Sequence, residues 1–314
     1  MPVHWKVKAA IQRCAGALPD GLSYPVYYGL QRTFGGLRRP NPTAHLAAAL
    51  SIVERIQRHG RPVRAARFLE VGTGRHLTVP LALWLCGADH VTTIDLNPYL
   101  KPVLVFEHID YMRAHPAETA RLFAPVCDGR LFQERFRLLT AAPRDLAALT
   151  SMIGVTYLAP ADASRLPLPA ASIEYHISVT VLEHIPPAAL ERIFAEGRRL
   201  LVPDGLFVHY VDFSDHFSHA DPSLPAVHFL RFSDEDWQRL AGNRYAYHNR
   251  LRIDEFEGVM ARAGTGRAAF EPTVDGRSEA ALRAGLQLDA RFAGKPVDVN
   301  ATIDAWVVAA RDRR

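Results

Sequence analysis

Two groups of residues in this 314-residue chain have types and spacings suited to chemistry. The first is Glu70-Val71-Gly72-Thr73-Gly74, answered further along by Asp95. Glycine lacks a Cβ, so a turn built on Gly72 and Gly74 lets backbone N–H groups approach a ligand. A carboxylate such as that of Asp95 accepts from both hydroxyls of a ribose. This is equipment for holding a nucleoside. The second group lies in the stretch from Asp212 to Asp221, DFSDHFSHAD. Histidine titrates near neutral pH and serves as a general base when a carboxylate orients its ring. His216, close behind Asp212 and Asp215, is the first candidate, ahead of His184, His209 and His219. The cluster Asp212, Asp215, His216, His219 and Asp221 could also ligate a divalent cation. Its spacing fits no fixed metal motif, however, and a loop that anchors a lid accounts for it; no metal is expected.

The elements around the first group fix how it is presented. A short apolar strand, Phe68 to Val71, ends in the glycine turn. An apolar helix from Val79 to Leu85 follows, with Thr78 available as a cap and Pro80 tolerated in the first turn. A second strand, His90 to Ile94, closes on Asp95. This is the unit of a doubly wound parallel sheet, in which ligands lie over the carboxyl ends of the strands. A dinucleotide fingerprint would place a third glycine where Leu77 stands, to seat a pyrophosphate on the helix N-terminus. Instead an acid, Glu70, precedes the first glycine.

That arrangement resembles the class I S-adenosylmethionine-dependent methyltransferases. The resemblance implies a Rossmann-like α/β fold with a doubly wound seven-stranded sheet and S-adenosylmethionine as cofactor. It places Glu70 at the methionine ammonium and Asp95 at the ribose, with Thr73, Gly74 and Leu96 lining the same cradle. Asp162 and Ala163, just beyond the third strand (Val155 to Leu158), take the adenine end, and Val179, just after the fourth strand, stands beside the cofactor. Asp162 has a second reading, as the N-cap of a short turn. His76 departs from the family pattern by standing where many members carry a third glycine. Its side chain is expected either in solvent or near the methionine carboxylate.

The stretch from Leu166 to Pro187 narrows the resemblance. A proline-bearing turn and a strand, Ile173 to Ser178, lead into Leu182-Glu183-His184, which opens a helix. The same order recurs in the ubiquinone-biosynthesis-like branch of small-molecule methyltransferases, although Tyr175 replaces an aspartate often found there. His184 belongs to that signature and is carried with His216 and Asp212 as a catalytic candidate, with a role in shaping the cofactor pocket. A looser likeness is to bacterial methyltransferases associated with glycan and surface-polysaccharide synthesis. It implies a sugar hydroxyl as acceptor, with Trp237, Arg231 and His216 facing the ring. Another small molecule or lipid acceptor, and a catalytically silent cofactor-binding scaffold, remain alternatives.

The rest of the chain supplies the frame. Residues 1–60 form an N-terminal helical and aromatic arm. A methyltransferase domain at 61–314 carries insertions at 96–153, a helical wall beside the pocket or an ornament on the far side of the sheet, and at 212–252. In the second insertion Phe213, Phe217, Phe229, Phe232 and Trp237 could enclose a ligand. Residues 3–18 make an amphipathic helix with Trp5, Val7, Ile11, Cys14 and Leu18 on its apolar side. It packs on its own domain or associates weakly with a membrane surface. The net charge of +4 comes from dispersed basic residues, and no base-reaching motif follows the fourth strand, so no nucleic-acid partner is expected. No apolar run is long enough for a membrane span. Cys14, Cys86 and Cys127 make no disulfide framework, which points to the cytoplasm.

Overall fold

The computed structural model describes residues 3–39 and 41–311. The N-terminal segment forms α1 (Trp5–Gly16), α2 (Asp20–Thr33) and α3 (Thr43–Arg58). The sheet begins with β1 (Arg67–Val71), α4 (Thr78–Leu85) and β2 (His90–Ile94), and the first insertion follows as α5 (Pro102–Ala114), α6 (Pro116–Phe123), α7 (Gly129–Ala141) and α8 (Leu146–Met152). Next come β3 (Val155–Leu158), β4 (Ile173–Val179), α9 (Pro187–Leu200) and β5 (Leu201–Asp212). After the second insertion, which contains α10 (Asp234–Ala241), the chain ends with α11 (Ile253–Arg262), β6 (Thr265–Val274), α12 (Gly276–Arg283), α13 (Ala290–Ala293), α14 (Val297–Ala301) and β7 (Thr302–Arg311).

The seven strands lie in the order β3-β2-β1-β4-β5-β7-β6. The first five run parallel, and β7 slots antiparallel between β5 and β6. Strand order reverses between β1 and β4, and the crevice over their carboxyl ends is where ligands bind in such sheets. β1 is buried at every position after Arg67, as a central strand covered on both faces must be. On one face α3, α4 and the first insertion form a core that includes Ile52, Leu83, Ile109 and Phe136. On the other, Phe194 of α9 and Phe256 of α11 pack with Phe207 and Val307 of the sheet.

Several expectations change here. The first insertion is more than a surface ornament, because Val105, Phe106, Phe123, Phe132 and Leu149 belong to the main core. It is tied down by a disulfide between Cys86, which follows α4, and Cys127, with Cα atoms 5.0 Å apart. The cysteine spacing hid this pairing, since fold topology brings together residues distant in the chain, and the cysteines therefore give no reason to expect a reducing compartment. The residues after Pro19 form a helix with Pro25 inside it. α1 buries Trp5, Ala9, Gln12 and Ala15, not the stripe expected from hydropathy, and leaves Val7 and Ile11 exposed. Its orientation is set by the second insertion: Asp221 accepts a hydrogen bond from the Trp5 N–H (3.1 Å), and Gln12 donates to the Tyr245 carbonyl (2.9 Å). Trp5, Phe217, Phe229, Trp237 and Phe292 then build a third small core, with Phe232 packed against it. Phe213 joins the core beside α11. The aromatic residues expected to enclose a ligand thus pack on one another instead. No helix among the described residues is long and apolar enough to cross a membrane.

Candidate functional site

At the end of β1 the chain turns through Gly72 (φ +90°) and Gly74 (φ +65°), both in the left-handed region that side chains disfavour. A Cβ on Gly72 would come within 2.4 Å of the Val181 side chain, so this turn is pressed against the segment leaving β4. On Gly74 the same atom would meet nothing within 4 Å. The N–H groups of Gly72 and Thr73 both donate to the Ile94 carbonyl (2.8 and 3.0 Å). They lock β1 to the end of β2 and are not aimed at a ligand, contrary to the expectation for a glycine turn of this kind.

Asp95 stands at the carboxyl end of β2. It accepts from the Gly74 N–H through Oδ2 and from the Asn97 N–H through Oδ1, each at 2.9 Å. Burial raises its pKa against the pull of these hydrogen bonds. Glu70 is almost fully buried and accepts from the Thr93 hydroxyl, which in turn lies 2.7 Å from the Thr73 hydroxyl. Burial, opposed by the Thr93 hydrogen bond, pushes the Glu70 pKa up to about 8. Leu96, next to Asp95, is 69% exposed despite being apolar. Asp162 follows the cis Ala159–Pro160 bond and is exposed, with Oδ1 accepting from the Ser164 N–H (2.8 Å). That is the local turn of its second reading. Ala163 packs in the core beside Leu69 and Ile94, and Val179 is the last residue of β4, paired with Tyr210.

The arm approaches this cradle in a way that hydropathy did not reveal. Tyr24 of α2 stacks on Tyr99 at 4.2 Å and donates to its carbonyl (3.2 Å), while the Lys101 ammonium lies over the rings of Tyr24 and Tyr28. Arg32 forks onto Glu107 of α5 with two 2.8 Å hydrogen bonds. His76 points neither to solvent nor freely into the cradle. Its ring packs against those of His45 and His108, and Thr78 Oγ1 lies within hydrogen-bonding distance of His76 Nδ1 (3.0 Å) and His108 Nδ1 (2.6 Å). Thr78 is thereby the first residue of α4 and not its cap; Leu77 is the N-cap and makes no side-chain hydrogen bond there. Burial drives His108 down to about 4 and His76 well below the usual imidazole range.

Beyond the end of β4, Leu182-Glu183-His184 forms a short 3-10 turn rather than the start of a helix. Pro186 and Pro187 fix the start of α9, as N-cap and first residue. Asn249 clamps the turn by donating to the carbonyls of Glu183 (2.8 Å), Leu182 (2.9 Å) and Ile185 (2.9 Å). His184 Nδ1 lies 2.7 Å from the Tyr247 carbonyl, which fixes the proton on that nitrogen and leaves Nε2 bare. Burial lowers its pKa to about 4. His216 comes over from the loop after β5, with its ring 4.9 Å from that of His184. Its Nε2 lies 3.2 Å from Asp212 Oδ2, at ion-pair distance though off the line of a hydrogen bond. Burial would raise the Asp212 pKa, but the neighbouring imidazole and Ser214 outweigh it and hold the carboxyl well below its usual range.

Other members of the sequence cluster turn elsewhere. Asp215 faces His228 (3.2 Å) and accepts from the Phe217 N–H (2.8 Å), and Asp221 holds the start of α1. His219 is half exposed and hydrogen-bonded to Ser214 (2.9 Å). His209 lies inside the sheet layer between Ser178 (2.8 Å) and His176 (3.3 Å), away from any acceptor. Arg231 is exposed, and Trp237 donates from its indole to the His248 carbonyl (3.1 Å). Neither therefore joins His216. Glu183 was passed over as a candidate, although it is 1% exposed and neither carboxylate oxygen has a partner among the described residues. Its position between Leu182 and His184 was the available signal, because a carboxylate at an otherwise apolar, buried position needs a reason.

A family model described as a methyltransferase domain matches residues 138–209. No curated protein sequence matches the chain. Among solved structures, the chain is similar to phosphoethanolamine N-methyltransferase 2 of Haemonchus contortus in complex with S-adenosyl-L-methionine, at 14% identity and a TM-score of 0.47, over 84% of this chain and 52% of that one. It thus spans about half the length of that relative. It is also similar to an S-adenosylmethionine-dependent methyltransferase of Mesorhizobium loti (17% identity, TM-score 0.40, 82% of this chain and 96% of that one). A third similar structure is a geranyl diphosphate methyltransferase (10% identity, TM-score 0.45, 85% of each chain). The chain thus has a seven-stranded sheet in the Rossmann-like methyltransferase arrangement, with β7 antiparallel, and a methyltransferase-domain match confined to residues 138–209.

Proposed function

We propose that this chain transfers a methyl group to a hydroxyl of a small polyhydroxylated acceptor, a sugar or glycan, with His216 as the base. The observation that carries the reading is the meeting of two strand ends. Asp95 and the Gly72–Gly74 turn lie at one side of the crevice, and the His216–Asp212 pair lies beyond the segment that packs on Gly72.

The residues present fit the cofactor. Asp95 combines a partly buried carboxylate with an adjacent, solvent-exposed Leu96 side chain, and the Cβ position of Gly74 opens onto free space. Asp95 would hold the ribose, Leu96 and Ala163 the base, and Glu70 the amino-acid end, with Thr73 and Gly74 between them and Val179 at the end of β4. Asp162, engaged in its own turn, keeps its second oxygen for the adenine amino group. When bound, the cofactor supplies an electrophilic methyl on a sulfonium. The chain's own part is to align the acceptor, exclude water and take up the hydroxyl proton. The Asp212 carboxylate at 3.2 Å orients the His216 ring. His184 packs against it and shapes the wall.

The acceptor class follows from what lines this side. Phe213, Phe217, Phe229, Phe232 and Trp237 are packed into cores, which leaves the imidazoles and carboxylate around His216 to meet the acceptor, a lining that suits hydroxyls better than a flat aromatic ring. Incubation with labelled cofactor and a panel of nucleotide sugars and oligosaccharides tests this. Transfer to a sugar supports it; transfer only to a quinone, a small aromatic or a lipid overturns the acceptor class.

A further inference from the structure

We propose that Glu183, His184 and His216 bind a divalent transition-metal ion of the zinc and cobalt type, positioned to hold an acceptor oxygen. The oxygen-holding role rests on the methyltransferase reading; the metal site itself does not.

One candidate ligand atom from each of the three residues lies within 4.8 Å of the others, so a modest rotation of the imidazoles brings all three within the bond lengths of about 2.0–2.2 Å to one ion. Geometry alone would not suffice. The independent observation is Glu183, which has both oxygens buried and without a partner among the described residues. An orphaned buried carboxyl is costly whether ionised or not, and a cation among two imidazoles removes that cost. The turn carrying it is held rigid by three hydrogen bonds from Asn249, so the oxygens are not free to swing out to water.

The imidazoles are prepared in the manner of metal ligands. A ligating histidine donates its other N–H to a carbonyl or carboxylate, which fixes ring and tautomer. His184 does so to Tyr247, leaving Nε2 4.0 Å from Glu183 Oε1. Asp212 lies 3.2 Å from His216 Nε2, so an ion on the other ring nitrogen would take that imidazole out of its role as base, and the ion in its place would activate the acceptor hydroxyl. The donor set decides the ion: two imidazoles with one carboxylate suit zinc, cobalt or iron, whereas magnesium and calcium prefer all-oxygen ligands. Three protein ligands leave positions open, the mark of a site that engages a substrate. Val181, immediately before the turn, packs on Gly72 and so places the site next to the nucleoside cradle.

The test uses the full chain, untagged, chelator-treated and carrying Cys14→Ser to remove the exposed thiol. Cobalt is titrated by visible absorption, zinc by competition with a chromophoric chelator, and S-adenosylmethionine by calorimetry on the same sample. We expect one ion per chain, unaffected by millimolar magnesium, with affinity at least tenfold weaker in Glu183→Gln and His216→Ala. Circular dichroism confirms that both variants are folded. Absence of stoichiometric cobalt and zinc binding in protein that binds the cofactor overturns the site and leaves the methyltransferase reading intact. Unchanged ion affinity in the two folded variants also overturns it. Ion binding without cofactor binding upholds the site and overturns the role given to it.

Discussion

Glu70 gives the most direct test of the cofactor cradle, because its ionisation is coupled to whatever occupies the site. Its carboxyl titrates at about 8 in the fold, against an ordinary value of 4.5. The folded chain therefore holds a proton that the unfolded chain lacks between those two values. Glu70's stabilising contribution is complete below pH 4.5 and is lost as pH rises through about 8. At 1.36 kcal/mol per unit, the loss is about 5 kcal/mol when the site is empty. A bound cofactor whose ammonium faces Glu70 favours the carboxylate, so binding must expel the proton. At pH 6, about two units below the folded value, that expulsion costs about 3 kcal/mol, or ~100-fold in affinity. Wild-type affinity for S-adenosylmethionine should then rise about tenfold per unit between pH 5.5 and 7.5, a range below the titration of the cofactor's own amine. Calorimetry in two buffers of different ionisation heat should count close to one proton released at pH 6. Glu70→Gln keeps the shape and removes the titration, so its affinity should be flat over the same range apart from any slope due to Asp95. Equal slopes in the two proteins, or no proton release by wild type, would refute the assignment of Glu70 to the ammonium.

Three further outcomes follow from the geometry. Gly72→Ala should weaken cofactor binding at least 100-fold, because the new Cβ meets Val181 at 2.4 Å and the positive φ costs about 1 kcal/mol more. Gly74→Ala meets nothing and should lose less than tenfold, with calorimetry on both variants as the check. His216→Ala should lower kcat by roughly 10²- to 10⁴-fold while leaving the cofactor Kd unchanged; single-turnover kinetics separate the two effects. Arg252, fully buried, donates to the carbonyls of Phe213, Val299, Asn300 and Thr302, so Arg252→Met orphans several acceptors at about 1–3 kcal/mol each. A loss of roughly 3 kcal/mol or more in urea unfolding is expected, and a change under 1 kcal/mol would show that this anchor is idle.

The parts of this protein that were readable in sequence are those where one local rule suffices. The βαβ unit around Gly72 and Asp95, the helices of the first insertion and the seven-stranded sheet each declare themselves by periodicity, turn residues or family resemblance. What stayed hidden depends on contacts between distant segments. Hydropathy put Val7 and Ile11 of α1 inside, yet the buried face is chosen by Asp221 and Tyr245 from a segment two hundred residues away. The aromatic residues of the second insertion read, by composition, as a pocket lining. Only the arrival of Trp5 against Phe217 decides for the core. The same holds for chemistry. Asp212, Asp215 and Asp221 have equal standing in DFSDHFSHAD, and the fold gives them three different tasks: one beside His216, one against His228, one under α1. Glu183 is the converse case, unremarkable within its signature until burial leaves both its oxygens without a donor. A buried acid that the fold holds rigid and does not satisfy is best explained by a cation it was placed to meet, and that is why the acceptor side of this crevice is assigned more than a base.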